Sequence, residues 1–520
     1  MPCDYNAIII GSGAGGGTLA WQLATAGKHV LLVERGERFA DHQAFQDEEQ
    51  MLIRMRAFDD RGFHVNGRQA RLYIGGILGG GTSLYGAALL RPSREDFHPG
   101  RHYAGRIPEA IHNWPITYDD LRPFYDRAEK LMGVAGDSGM IPPHVERPEH
   151  GYPAPAPPLE PINLRLREGM EKAGYTPYHL PLGINFATCQ QCATCPGFYC
   201  PNNSRASTLS RLLLSAEKTQ NLTIRTECEA EKLIFDADGK ATGIHIRSRR
   251  DGTTEMLTAD IYALSAGAIG SPALLMKSGY ADRSNQLGKN YMYHCGALVA
   301  GIFPRPTGGT DGFIKQLGFT DLYLGNRDFP HKLGYVQTLP VPGPLTVQQN
   351  APVPIPHRVA QFLNKRMLVL SGAVEDLPQE SNHVAIRGDG SIALTHRFHP
   401  YDVFRSRWYL KRLKEVMHYT GTRFMFGGTG DKDDLHTAHQ VGTARFGEDP
   451  KTSVLNRDCR LHGSDNVYVV DGSFMPTSLG VGPALTIMAN ALRVGTTIIG
   501  TGSTIRNVQH QRNERITETS

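Results

Sequence analysis

The chain has 520 residues, 40% of them apolar, with 57 glycines and 33 prolines. That suits a loop-rich globular protein of two or more domains and excludes a coiled coil or a disordered chain. Its 55 Lys and Arg against 51 Asp and Glu leave a formal charge of +4, too slight without a basic run to imply a nucleic-acid partner.

No apolar stretch is long enough to span a bilayer, so no integral membrane segment is expected. The start "MPCDYNAIIIGSG" has none of the features of a secretion signal, and a cytoplasmic location with reduced thiols is expected. The glycosylation-like triplets at Asn202 and Asn221 are then chance matches. The stretch "NAIIIGSGAGGGTLAWQLATAGKHVLLVERG" predicts strand, glycine turn, helix and strand. Ile8 to Ile10 are continuously apolar, as in a strand buried on both faces. Leu19, Leu23 and Ala26 mark one helical face, Gly27 ends the helix, and Val30 to Val33 form the second strand.

Gly11, Gly13 and Gly16 form the G-x-G-x-x-G of a dinucleotide-binding βαβ unit, with Glu34 closing the second strand. The glycines give a tight turn, close approach to a pyrophosphate and close helix–strand packing. The helix beginning near Gly15 aims free amides at the phosphates. Glu34 accepts ribose hydroxyls and repels a 2′-phosphate. The fingerprint leaves NAD and FAD both open.

Residues 141–163 are proline-dense and predict a surface connection. "TCQQCATCPGFYCPNN" then gathers Cys189, Cys192, Cys195 and Cys200, half of the chain's 8 cysteines. The spacing is near a bacterial ferredoxin run, with one extra residue before the last cysteine. An iron–sulfur cluster, zinc on four thiolates, or local packing without metal remain open there.

From Leu222 to Leu264 short alternating strands are expected, with turns at Asp238-Gly239 and Asp251-Gly252. Ser271-Pro272 is expected to open a helix as cap and first-turn proline. Residues 329–357 are apolar but predict no regular element, and either a solvent loop or a lid fits them. Phe404, Trp408, Leu413 and Met417 have helical spacing, with Arg405, Lys411 and Lys414 elsewhere on the turn, as in a half-buried helix. "NVYVVDGSFMP" predicts a buried strand and "GPALTIMANALRVGTTII" a helix with Pro483 in its first turn.

Four stretches together resemble the glucose–methanol–choline (GMC) oxidoreductases, flavoproteins that oxidise alcohols and sugars. They are "GSGAGGG" with Glu34; "GGILGGGTSLYGAALLRPSREDF"; "SAGAIGSPALLMKSG" followed by "QLGKNYMYH"; and "HQVGTARFG" through "YVVDGSFMPTS" to "PALTIMANALR". "NWPITYDDLRPFYDRAEKLMGV" looks like the pyranose-oxidase and gluconate-dehydrogenase side of the family.

The resemblance implies an α/β fold: a Rossmann-type FAD-binding domain interleaved with an α+β substrate domain built on an antiparallel sheet. It places the FAD domain at 1–105, 186–295 and 437–508 and the substrate domain at 106–185 and 296–436, with a polar tail at 509–520. By the same likeness Gly11, Ser12, Gly13, Ala14, Gly15, Gly16, Glu34, Arg35, Ala230, Ala266 and Gly267 would bind the cofactor. So would Gly79, Gly81 and Thr82 in the turn near the isoalloxazine, and Asp471, Gly472, Pro483, Ala484 and Leu485 toward the last helix.

His439 stands at the family's base position, and imidazole suits that task because its ordinary pKa lies near working pH. The family's second histidine or asparagine is replaced by Gly482, and His436 is the nearest substitute in sequence. Ser83, Leu84 and Tyr85 stand where some relatives link FAD through histidine, so FAD is expected to be non-covalent. The implied partners are a small alcohol or sugar and an external electron acceptor: oxygen, a quinone or a redox protein. The gap at Gly482 leaves open an alternative, an FAD-containing lyase without net redox change.

Overall fold

The computed structural model describes residues 3–431 and 438–517. Five parallel strands form the first sheet, in the order Val467–Val469, Ala259–Leu264, Tyr5–Ile10, Val30–Val33, Leu222–Arg225. Ile8, Ile9, Leu31 and Leu32 are wholly buried, as continuous apolar runs in a sheet covered on both faces should be. Helix Ala14–Thr25 crosses between the first two strands and packs against the last helix, Ala484–Thr517. Strands from the start, middle and end of the chain thus meet in one sheet. The strands Cys228–Phe235, Ala241–Ser248 and Thr254–Leu257 form an antiparallel meander beside it.

The second large sheet has six strands, in the order Phe424–Thr429, Ala297–Ile302, Met367–Gly372, Val336–Leu339, Leu317–Phe319, Tyr178–His179. All its pairings are antiparallel. Helix Pro400–Tyr419 packs on it through Tyr409, Leu413, Val416 and Met417. The chain is therefore mixed α/β, with a Rossmann-like parallel sheet and a separate antiparallel sheet. Among the described residues no helix is long and apolar enough to cross a membrane.

Three local expectations are corrected. The helix expected to open at Ser271-Pro272 begins earlier and spans Gly267–Lys277, with Pro272 inside it. The amide of Gly267 donates to the Asp471 carboxylate at 2.9 Å, so this helix is capped from 204 residues away. Pro272 has no hydrogen to give the Ala268 carbonyl, and the Thr443 hydroxyl takes that acceptor at 2.7 Å.

Residues 329–357 do hold regular elements: the strand Val336–Leu339, the helix Pro344–Gln349 and the first residue of the helix His357–Asn364. Their prolines sit where a helix needs no amide hydrogen. Glu48 accepts from the amides of Leu345 and Thr346 and so caps the shorter helix from afar. Third, Arg405 is wholly buried rather than on the polar face of its helix, donating to Asp402 and to the carbonyls of Lys332 and Glu375.

Arg405 belongs to a buried charge network. The Lys332 ammonium bridges Asp96 at 2.6 Å and Glu375 at 2.5 Å, and the Tyr103 hydroxyl also donates to Glu375. Asp96 in turn accepts from the Tyr323 hydroxyl at 2.6 Å and the Gly480 amide at 3.3 Å. Buried charges persist only when paired and hydrogen-bonded. Here the pairing fixes the loop that leads into the last helix.

Candidate active site

The glycine turn after the first strand lies against a second glycine turn, Gly79–Ser83. Gly11 has φ +97°, and a Cβ there would lie 2.3 Å from the Ser265 carbonyl oxygen, so only glycine fits. A Cβ on Gly80 would lie 2.9 Å from the Gly13 Cα. The Gly79 amide donates to the Ser12 hydroxyl at 2.8 Å, and the Thr208 hydroxyl donates to the Ser12 carbonyl at 2.8 Å.

By contrast, a Cβ at Gly13, Gly81 or Gly267 would meet nothing within 4 Å. Helix Ala14–Thr25 starts at Gly13 with no side-chain cap and no acid in its first turn. The Gly16 amide is taken by the Ser265 hydroxyl at 2.7 Å, which leaves the amides of Ala14 and Gly15 for an anion. Open glycines beside an uncapped helix start are a shape and charge that a dinucleotide pyrophosphate could fill, with Ser12, Gly13, Ala14, Gly15, Gly79, Gly81 and Thr82 around the opening and Gly16 packed beneath it against the Gly11 carbonyl.

Several residues singled out for the cofactor already serve the fold. Glu34 accepts from the Ser12 amide at 3.0 Å, the Ser12 hydroxyl, and the Gly36 amide at 2.8 Å. Burial nevertheless pushes its pKa upward. Arg35 pairs with Asp59 at 3.1 Å, Asp60 at 2.7 Å and Glu229 at 3.3 Å. Asp471 accepts from Gly267, Ser271 and the Ser473 amide, tying the third fingerprint stretch to the fourth. Ala230 lies in the meander beside the parallel sheet, and the Ala266 amide donates to the Ser271 hydroxyl at 3.0 Å. Gly472 opens the short turn after Asp471. Pro483 precedes the last helix rather than entering it; its carbonyl accepts from the Ile487 amide at 2.9 Å, and Ala484 and Leu485 are the helix's first residues.

His439 is brought to a partner that sequence reasoning missed. Val441 and Met292 exchange backbone hydrogen bonds of 2.9 and 3.1 Å across an antiparallel bridge. Two residues before one and two after the other, His439 and His294 therefore face each other. Their Nδ1 atoms are 3.0 Å apart. His439 has φ +68°, a left-handed conformation that costs a non-glycine residue about 1–3 kcal/mol. His294 ends the stretch "QLGKNYMYH"; the one signal it carries is a lone imidazole in an aromatic and apolar run entering a strand.

The hydrogen bonds fix the tautomers. His294 Nε2 lies 3.2 Å from the Ser478 carbonyl and 3.0 Å from that of Leu479. Both oxygens can only accept, so Nε2 carries the hydrogen and Nδ1 of the neutral ring accepts. His439 must then donate from Nδ1, which leaves its Nε2 with a free lone pair. A Cβ on Gly482 would lie 3.3 Å from that Nε2, so the glycine keeps open the space in front of it. Burial, then the neighbouring His294 and then the charge of Lys315 bring the His439 pKa down to about 3. The His294 pKa is also lowered, first by burial. Both rings are neutral at physiological pH. His436 lies outside the described residues.

The four clustered cysteines line one small cavity with Arg205 and Phe313. All are free thiols, and Cys195 is pushed up by burial. Among the described residues no three His, Cys, Asp or Glu side chains converge as ligands of a metal ion.

Residues 5–296 and 378–491 match the family described as GMC oxidoreductase. The chain belongs to this family. It is an oxidoreductase of the flavoprotein class that acts on CH–OH groups. It is 28% identical to 6'''-hydroxyparomomycin C oxidase of Streptomyces lividus, over 95% of this chain and 91% of that protein. It is 24% identical to the gluconate 2-dehydrogenase flavoprotein of Pantoea cypripedii, over 92% and 91%. Its fold superposes on pyridoxine 4-oxidase from Mesorbium loti with a TM-score of 0.67 at 19% identity, covering 95% of this chain and 99% of the other.

Proposed function

We propose that this enzyme oxidises a primary or secondary alcohol on a sugar or glycoside, with His439 as proton acceptor and non-covalently held FAD as hydride acceptor. One observation carries the reading: the His294–His439 pair leaves a neutral imidazole with its Nε2 lone pair free above Gly482. A hydroxyl placed there gives its proton to Nε2 while FAD, when bound, supplies the acceptor for the hydride on the adjacent carbon. His294 stands in for the side chain that Gly482 lacks, acting from the opposite side of the ring. Its carbonyl anchors and the left-handed backbone at His439 hold the base before substrate arrives, which is how a positioned group lowers a barrier.

The sugar substrate class is supported by the names of relatives that act on an aminoglycoside and on gluconate. Non-covalent FAD is supported by Leu84 being buried in the core and by Ser83 and Tyr85 bonding to the carbonyls of Leu78 and Ala206. An external electron acceptor reoxidises the flavin. Free thiols at all 8 cysteines suit a reducing compartment such as the cytoplasm.

The test is anaerobic. Purified protein should carry flavin absorbance near ~450 nm, released by acid precipitation and bleached on mixing with a primary alcohol of an amino sugar or glycoside. Protein without flavin overturns the reading. So does flavin that stays oxidised while substrate is consumed, as in a lyase.

A further inference from the structure

The structure holds two buried lysines treated in opposite ways. Lys332, 2% exposed, is neutralised by Asp96 and Glu375. Lys315, 5% exposed, pairs with no carboxylate among the described residues; its ammonium donates to the Gly86 carbonyl at 3.2 Å. A lone buried ammonium is costly, since desolvation is not offset by an opposite charge. Burial lowers its pKa to about 8, so it remains mostly charged at neutral pH.

Its place in the fold is specific. Gly86 lies three residues after the end of the turn at Ser83, and a Cβ there would lie 2.2 Å from Lys315 Nζ, so the glycine makes room for the ammonium against the backbone. A second buried cation without a carboxylate, Arg205, donates to the Ser83 carbonyl of the same stretch. Lys315 is also close enough to His439 for its charge to weaken that imidazole's hold on a proton. It thus lies against the stretch that follows the glycine turn, within electrostatic reach of the base and of Cys195, and among the described residues no carboxylate pairs with it or with Arg205.

We propose that Lys315 is an active-site cation whose role is to stabilise the negative charge that the flavin ring acquires on reduction. A fixed charge in a water-poor site acts more strongly than in solvent and needs no reorganisation when the charge develops. The proposal rests on the flavin reading above. It also explains why an ammonium whose partner is the Gly86 carbonyl is kept there, although methionine would remove its desolvation cost at the expense of that one hydrogen bond.

The experiment measures the midpoint potential of bound FAD in the holoenzyme and in Lys315→Met and Lys315→Gln, the second keeping a donor for the Gly86 carbonyl. Both variants should shift the balance between reduced and oxidised ring at least tenfold toward the oxidised form, about 30 mV for a two-electron couple. Lys315→Met should melt no lower than the parent protein. A purely structural lysine predicts the reverse pair of results, a lower melting temperature and an unchanged potential, and that would overturn the proposal. If Lys315→Met does not fold, the potential of Lys315→Gln decides. Unchanged potentials with alcohol-reducible flavin defeat this inference alone, whereas absence of flavin from the parent protein defeats the functional reading and this one with it.

Discussion

His294→Leu tests the tautomer argument at its root. The substitution removes the acceptor that lies 3.0 Å from His439 Nδ1 and leaves that N–H without a partner. An unmatched donor in a half-buried site costs about 1–3 kcal/mol, so the ring moves its hydrogen to Nε2, where solvent or substrate can accept it. At about 1.4 kcal/mol per factor of ten, the form with a free Nε2 lone pair is depleted roughly ten- to a hundredfold. The limiting rate of flavin reduction, followed by anaerobic stopped flow, should fall by that factor with the substrate KM little changed. Because His294 acts through His439, the double variant His294→Leu/His439→Ala should be no slower than His439→Ala alone. An unchanged rate in His294→Leu, or losses that multiply in the double variant, would refute the reasoning.

Lys332→Met strands the carboxylates of Asp96 and Glu375 in the interior and should cost roughly 3–5 kcal/mol, visible as a lower urea midpoint; an unchanged midpoint contradicts the network described. Acid should weaken the fold through His439. Its folded pKa of about 3 lies below the unfolded value of 6.5, so its contribution is complete above pH 6.5 and is lost as pH falls toward 3. Between pH 7 and pH 5 this amounts to at most about 2 kcal/mol for a ring only half withdrawn from water, and His439→Leu should flatten the pH dependence of the melting temperature. Gly482→Asn places a side chain in the space before His439 Nε2, so FAD content should hold while flavin reduction slows at least tenfold; undiminished reduction would show that substrate does not use that space.

The parallel sheet could be read from the sequence because its information is local. Ile8 to Ile10 and Val30 to Val33 are continuous apolar runs, and the glycines between them have spacing that only a turn under a helix explains. The helix at Gly267 was not legible in full, because what caps it is Asp471 and what satisfies the carbonyl below Pro272 is Thr443. Both arrive from the far end of the chain. The same limit hid His294. A lone imidazole closing an aromatic and apolar run is all that marks it in sequence, and only the Met292–Val441 register brings it to His439. Lys315 is likewise an ordinary lysine until folding withdraws it from water without a carboxylate.

The central claim is that a neutral His439, held by His294, takes the substrate's proton while hydride leaves the same alcohol carbon. Single-turnover reduction of the flavin in His439→Ala, compared with the parent protein under anaerobic conditions, tests it most directly. The account predicts reduction slowed by roughly two to four powers of ten with FAD still bound. Reduction within a few fold of the parent rate would contradict it.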